Sequence, residues 1–196
     1  VFDYNGSSWT QVGGDINGLY FGDGSGYSVA MNSSGTKIII GAPSYGGING
    51  ISTGCGLVYE YNSGSWSLLG NIIDNGADSD NSGHSVAMSS DGNRIAIGAV
   101  YNDGNGERSG KVQVFDYKIP TAEEWSSKTI MKGSDTTQQA NVYYWTQVAN
   151  VIYGEKLYDQ SGYSVAMSSD GLKIAVGAPY NDGSALVTGD NRGHVR

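Results

Sequence analysis

Basic charge is scarce in this chain: 11 Lys and Arg stand against 19 Asp and Glu over 196 residues, giving a net charge of −8 and an isoelectric point near 4.5. That balance argues against nucleic acid, whose phosphates call for a basic face, and against anionic membrane surfaces. Long apolar runs are missing too; none approaches the roughly 20 residues that cross a bilayer. A single cysteine, Cys55, excludes an internal disulfide framework. Charged residues of both signs make up only 15%, so solubility rests on Ser, Asn, Gly and Asp. What the chain does have is 31 Gly, 14 Tyr and 4 Trp beside only 3 Pro, a composition of turns and aromatic-rich strands. Its first residues, Val1-Phe2-Asp3-Tyr4, read as the inside of a strand, so a mature fragment or an excerpt is expected.

One stretch occurs three times. Ser161-Gly162-Tyr163-Ser164-Val165-Ala166-Met167 leads through Asp170-Gly171 to Ile174-Ala175-Val176-Gly177-Ala178-Pro179. Ser82-Gly83-His84-Ser85-Val86-Ala87-Met88 leads to Ile95-Ala96-Ile97-Gly98-Ala99, and Ser25-Gly26-Tyr27-Ser28-Val29-Ala30-Met31 to Ile38-Ile39-Ile40-Gly41-Ala42-Pro43. Each copy predicts a β-hairpin: an alternating strand, a polar turn closed by Gly, and an apolar return strand. Trp9, Trp66 and Trp145 each open a further strand 17 residues before the hairpin glycine at 26, 83 or 162. Between hairpin and Trp lies a fourth strand, Leu57-Val58-Tyr59-Glu60-Tyr61 or Val112-Gln113-Val114-Phe115-Asp116-Tyr117. The unit a-b-c-d so defined has the size and strand count of a propeller blade.

The expected architecture is therefore all-β: tandem four-stranded antiparallel propeller-type blades, three in 196 residues. Residues 14–70 form blade 1, 71–149 blade 2 with an insertion at 118–142, and 150–196 the first part of blade 3. Gly193-His194-Val195-Arg196 aligns with the start of strand c, and Val1-Phe2-Asp3-Tyr4 with its remainder. Residues 1–13 then read as the c–d end of a blade, so that blade 3 is completed across the chain ends. Two uses follow: an excerpt of a longer repeat protein, or one period of a tandem array or head-to-tail filament. In the second, Val1, Phe2, Tyr4, Val195 and Arg196 are interface residues.

The Ser-Gly-Tyr-Ser-Val-Ala and Ile-Ala-Val-Gly-Ala-Pro segments resemble the FG-GAP repeats of integrin-α-type β-propellers. They are more similar still to tandem repeats in secreted or surface proteins of aquatic microbes and large algal viruses. The resemblance covers nearly the whole chain except the insertion and implies an extracellular location, at a cell or virion surface. Integrin-type blades carry a calcium loop with several carboxylates between strands a and b. Here that turn holds one carboxylate or none (Asn32-Ser33-Ser34-Gly35, Ser89-Ser90-Asp91-Gly92, Ser168-Ser169-Asp170-Gly171), too few for a cage of six to eight oxygens.

Asp103 and Asp182, in Tyr-Asn-Asp-Gly loops after strand b, and Asp78 with Asp80, before the second hairpin, are the remaining calcium candidates; turn chemistry accounts for the same residues. No other cofactor is expected. His84 replaces Tyr27 and Tyr163, and His194 aligns with Lys111 and Cys55, so both histidines read as structural. The Trp series reads as blade-to-blade packing or as a sugar-stacking row. Asn5 and Asn32 open glycosylation sequons in turns expected to be exposed. Trp125, the one Trp outside the repeat, makes the insertion a candidate contact surface. No titratable cluster breaks the repeat as an active site would. The expectation is a non-enzymatic extracellular structural or interaction protein that self-associates. The alternative is part of a closed six- or seven-bladed propeller that binds a glycan or a cell-surface protein.

Overall fold

The computed structural model describes residues 1–46, 51–74, 76–119, 121, 143–183, 189 and 191–196; most of the insertion, with Trp125, lies outside the described residues. Thirteen strands and no helix occur among them. Strands β1 (Phe2–Tyr4) and β2 (Trp9–Gln11) make a two-stranded hairpin. Blade 1 is the meander β3 (Ser28–Met31), β4 (Lys37–Ala42), β5 (Cys55–Asn62), β6 (Ser65–Leu68). Blade 2 repeats it with β7 (Ser82–Met88), β8 (Arg94–Ala99), β9 (Lys111–Lys118) and β10 (Tyr144–Tyr153). Then β11 (Ser164–Met167), β12 (Ile174–Ala178) and β13 (His194–Val195) form a three-stranded sheet. All pairings between these strands are antiparallel, and the three larger sheets are propeller-type blades.

Register confirms the repeat residue by residue. Ala42 faces Cys55, Ala99 faces Lys111 and Ala178 faces His194, so β13 is the beginning of a strand c. At the other end Tyr4 faces Trp9 as Tyr61 faces Trp66 and Tyr117 faces Trp145. The hairpin β1–β2 thus has the register of strands c and d. Within one copy it stays a sheet of its own, and β1 pairs only with β2 among the described strands.

Side chains alternate between the faces of each strand, and adjacent blades bury those alternate sets against each other. Ile39 and Val58 of blade 1 pack with Val86, Met88, Ile95, Ile97, Phe115 and Trp145 of blade 2. On the far side of blade 2, Ala87, Ala96 and Val112 pack with Val176, flanked by Val165 and Met167. At the junction of blades 2 and 3, the small Ala87 and Ala96 against the larger Val165, Met167 and Val176 let the blades approach closely. Each fully buried aliphatic side chain contributes about 1.5–3 kcal/mol.

Strand d of blade 2 is longer than β2 with 3 residues and β6 with 4. It runs ten residues to Tyr153, pairing Tyr153 with Lys111 beyond an irregularity between Val148 and Ile152. Ala149 takes a left-handed φ of 57° there. A bulge of this kind restores the pairing face after the extra residues, and Val148, Val151 and Ile152 favour extended backbone.

Candidate interaction surface

The junction between blades is where the repeat concentrates its polar chemistry. Each hairpin is preceded by Asp-x-Ser-Gly: Asp23 to Gly26, Asp80 to Gly83, Asp159 to Gly162. All three aspartates are buried. Asp23 accepts the N–H groups of Leu19 (2.8 Å), Tyr20 (3.2 Å) and Ser25 (2.9 Å). Asp159 accepts those of Glu155 (3.0 Å) and Lys156 (2.8 Å) and the amide of Asn181 (2.9 Å). Asp80 accepts from the Ala77 N–H and the Asn102 amide, both at 2.8 Å, and pairs with the Lys111 ammonium at 3.1 Å. A carboxylate satisfied in this way fixes the d–a loop, whose residues on either side of the Asp are left-handed in every copy. The recurrence of Asp at the same offset is the signal by which a sequence reading would find this role.

The next three residues cross to the preceding blade. Gly54 bridges Ser82 and Gly110 bridges Ser161, both in parallel. The Ser82 N–H donates to the Thr53 carbonyl (3.0 Å) and the Ser161 N–H to that of Ser109 (2.9 Å). The Ser28 hydroxyl donates to the Gly83 carbonyl at 2.9 Å, and Ser85 to that of Gly162 at 2.6 Å. A Cβ at Gly41 or Gly98 would lie 2.0 or 2.2 Å from those same carbonyls, which is why the return strand carries Gly at these positions. A second link joins the turns: the Ser33 N–H donates to the Ser90 carbonyl and the Ser90 N–H to that of Ser169, both at 2.9 Å. A third uses the Trp series. The Trp66 indole donates to the Val12 carbonyl and the Trp145 indole to that of Leu69, both at 2.9 Å.

Trp145 is fully buried, Trp66 is half-buried and Trp9 is 68% exposed. The packing reading therefore holds where a preceding blade is present. In the row Tyr27–His84–Tyr163 the ring centroids are 5.0 and 4.8 Å apart. Burial lowers the His84 pKa below its ordinary 6.5. The fold thus holds His84 neutral where the unfolded chain would protonate it, so its contribution is complete above pH 6.5 and declines as pH falls below that value. In urea unfolding, His84→Tyr, which installs the residue of the sister repeats, is expected to lose less stability than wild type between pH 7 and pH 5.

The calcium candidates are not brought together. The Asp103 carboxylate accepts the Arg108 N–H at 2.8 Å inside its own loop. Asp182 accepts the N–H groups of Gly189 (3.0 Å) and Asn191 (2.9 Å). Asp78 is exposed, and Asp80 already faces an ammonium. Among the described residues no group of three or more His, Cys, Asp or Glu side chains is placed to hold a metal ion. Cys55 is buried in blade 1, and burial pushes its thiol well above the usual range.

One expectation needs correction. Asn32 is only 7% exposed, because its side chain is the scaffold of the a–b turn. Its carbonyl accepts the Thr36 and Lys37 N–H groups at 2.9 Å, and its amide donates to the Ser34 and Thr36 hydroxyls. Asn5 is exposed, as expected, and its side-chain carbonyl accepts the Ser7 and Ser8 N–H groups within the β1–β2 turn. Phe2, Tyr4 and Val195 are exposed, Val1 is half-buried, and Arg196 exchanges backbone hydrogen bonds with Val176.

Comparison with known proteins matches the FG-GAP repeat model to residues 70–115, the segment that runs from the d–a loop through strands a and b of blade 2 and into strand c. Among solved structures the chain is similar to the hydrazine synthase of Kuenenia stuttgartiensis, with 18% identity and a TM-score of 0.41. The match covers 86% of this chain and 44% of that one, so the chain spans less than half the length of that protein. No curated protein matches. No helix among the described residues is long and apolar enough to cross a membrane.

Proposed function

We propose that this chain is a non-enzymatic extracellular interaction protein whose propeller-type blades continue from copy to copy, head to tail. One observation carries the reading. The groups that join blades 1 and 2 join blades 2 and 3 again, and the apolar side chains of the same register are bare on the outer faces of blades 1 and 3. Val86 and Met88 are buried against blade 1, whereas their counterparts Val29 and Met31 are 59% and 42% exposed. Ala87 and Ala96 are buried against blade 3, whereas Ala166 and Ala175 are exposed. The half-blade β1–β2, with exposed Phe2, Tyr4 and Trp9, has the register to complete a sheet that stops at β13.

The extracellular placement is supported by the FG-GAP repeat, by an exposed acceptor at Asn5 and by a surface of turns with little basic charge. A non-enzymatic role fits a chain whose repeated aspartates and serines are occupied in holding loops and junctions. Heterologous contact between unlike faces builds open arrays when the rotation does not close, and rings when it does.

Sedimentation velocity and negative-stain imaging of the 196-residue chain test the reading. Mass is expected to rise with concentration through about 100 μM, the range in which a contact worth about 5–6 kcal/mol becomes half-occupied. Filaments or open arcs in the images support head-to-tail growth. Rings of fixed size would mark the chain as part of a closed ligand-binding propeller, and a monomer throughout would overturn the association.

A further inference from the structure

The outer face of blade 3 carries a cleft of about 400 Å³, lined by Tyr163, Ser164, Gly177, Pro179, Gly193 and Val195 among others. From the repeat register we infer that this cleft is the seat for the Gly24-Ser25-Gly26-Tyr27 loop of a second copy. The inference rests on the head-to-tail reading and names the contact by which it would occur.

Both internal junctions show the occupied form of this seat. In blade 2 the corresponding residues are His84, Ser85, Gly98, Val100, Gly110 and Val112, and blade 3 fills the space between them with Gln160-Ser161-Gly162. In blade 1 the equivalent space takes Asn81-Ser82-Gly83. The filling segments are buried: Ser82 is 2% exposed and Ser161 1%. Their counterpart on blade 1 is not. Gly24, Gly26 and Tyr27 are exposed, and the Ser25 N–H, which would cross the junction, turns to its own Asp23 instead.

Seat and loop match group for group. The Ser164 hydroxyl corresponds to Ser28 and Ser85, each of which donates to the hairpin-glycine carbonyl of the next blade. Gly177 corresponds to Gly41 and Gly98, where that carbonyl leaves no room for a Cβ. At Gly177 a Cβ would meet only the copy's own Ser164, its hydroxyl at 2.3 Å and its Cβ at 3.6 Å. Tyr163 would receive the incoming Tyr27 ring, extending the row Tyr27–His84–Tyr163. The apolar remainder is complementary in size: Val29 and Met31 come from one copy, Ala166 and Ala175 from the other.

Two measurements test the seat on the full chain. Equal amounts of ¹⁴N- and ¹⁵N-labelled protein are mixed and photo-oxidised, and the dityrosine peptides are read by mass spectrometry. A Tyr27–Tyr163 cross-link joining light and heavy copies is expected, since within one copy His84 separates the two rings. In parallel, the double variant Ser164→Ala/Gly177→Ala puts a methyl where the incoming carbonyl would sit and removes the local hydroxyl clash. Val29→Lys alters the opposing face at a position already exposed in the single copy. Both variants are expected to melt as wild type does at low concentration and to associate at least tenfold more weakly. Association that survives both variants and yields no Tyr27–Tyr163 peptide overturns the seat and leaves head-to-tail growth standing; a wild-type chain that stays monomeric overturns both.

Discussion

Asp80→Ala is expected to lower the unfolding free energy by about 3–5 kcal/mol, because it removes a carboxylate that faces the buried Lys111 ammonium at 3.1 Å. The pair is 3.1 Å apart, with side chains 9% and 4% exposed, so water cannot take over the solvation that Asp80 provides. The same substitution withdraws the acceptor from the Ala77 N–H and the Asn102 amide, two donors that fix the loop ahead of the second hairpin. For a domain of this size the loss corresponds to a melting midpoint lower by about 10 °C, read by circular dichroism or calorimetry. Lys111→Met should cost less, about 1–3 kcal/mol, since Asp80 keeps two of its hydrogen bonds. In the double variant Asp80→Ala/Lys111→Met the losses should fall short of their sum, because both substitutions remove the same contact. A loss from Asp80→Ala below about 1 kcal/mol would show that the loop does not depend on the aspartate.

This aspartate also shows where sequence reading stops. The strands, their order and the register of the three units are legible, because apolar alternation and glycine spacing are local signals set by the period of a β-strand. Asp80, read beside Asp78, suggests a metal ligand. Its role becomes readable when it is aligned with Asp23 and Asp159 in the Asp-x-Ser-Gly series. Asn32 misleads in the same way. The sequon says exposed turn, yet Asn32 stands in register with Ser89 and Ser168. Each accepts the N–H of the residue five positions on, from Lys37 at 2.9 Å and from Arg94 and Lys173 at 3.0 Å. An oxygen at that position closes the turn, and the amide of Asn32 does what a serine hydroxyl does elsewhere.

The junctions themselves had no local signal. Ser28 meets a carbonyl 55 residues away and Ser85 one 77 residues away, and neither offset follows from the pattern of a single strand. What the sequence does hold is the requirement for glycine at 41 and 98; the carbonyl behind that requirement emerges only when two blades are laid together. The open faces of blades 1 and 3 are legible only by difference, from residues of the same register that are buried at one blade and bare at another.

The Trp series turns that difference into the second large effect. Trp145→Ala is expected to cost about 3–5 kcal/mol, the range for removing a large buried aromatic ring. The ring is 0% exposed, lies 5.2 Å from the centroid of Tyr117, and belongs to the cluster shared by blades 1 and 2. Its indole N–H is the donor to the Leu69 carbonyl, so truncation also leaves a junction acceptor without its partner. Trp9 occupies the same motif at the same 5.2 Å from Tyr4, and yet is 68% exposed. In a dilute single copy Trp9→Ala should therefore cost less than about 1 kcal/mol, the value of one exposed aromatic pair. Denaturant titrations of the two variants, matched for concentration, separate the motif from its surroundings. If the copies join as proposed, the gap between them should narrow as concentration rises, because Trp9 would acquire the preceding blade that Trp145 already has. A gap that holds constant across the association range would mean that Trp9 stays in solvent and that the half-blade β1–β2 finds no neighbour.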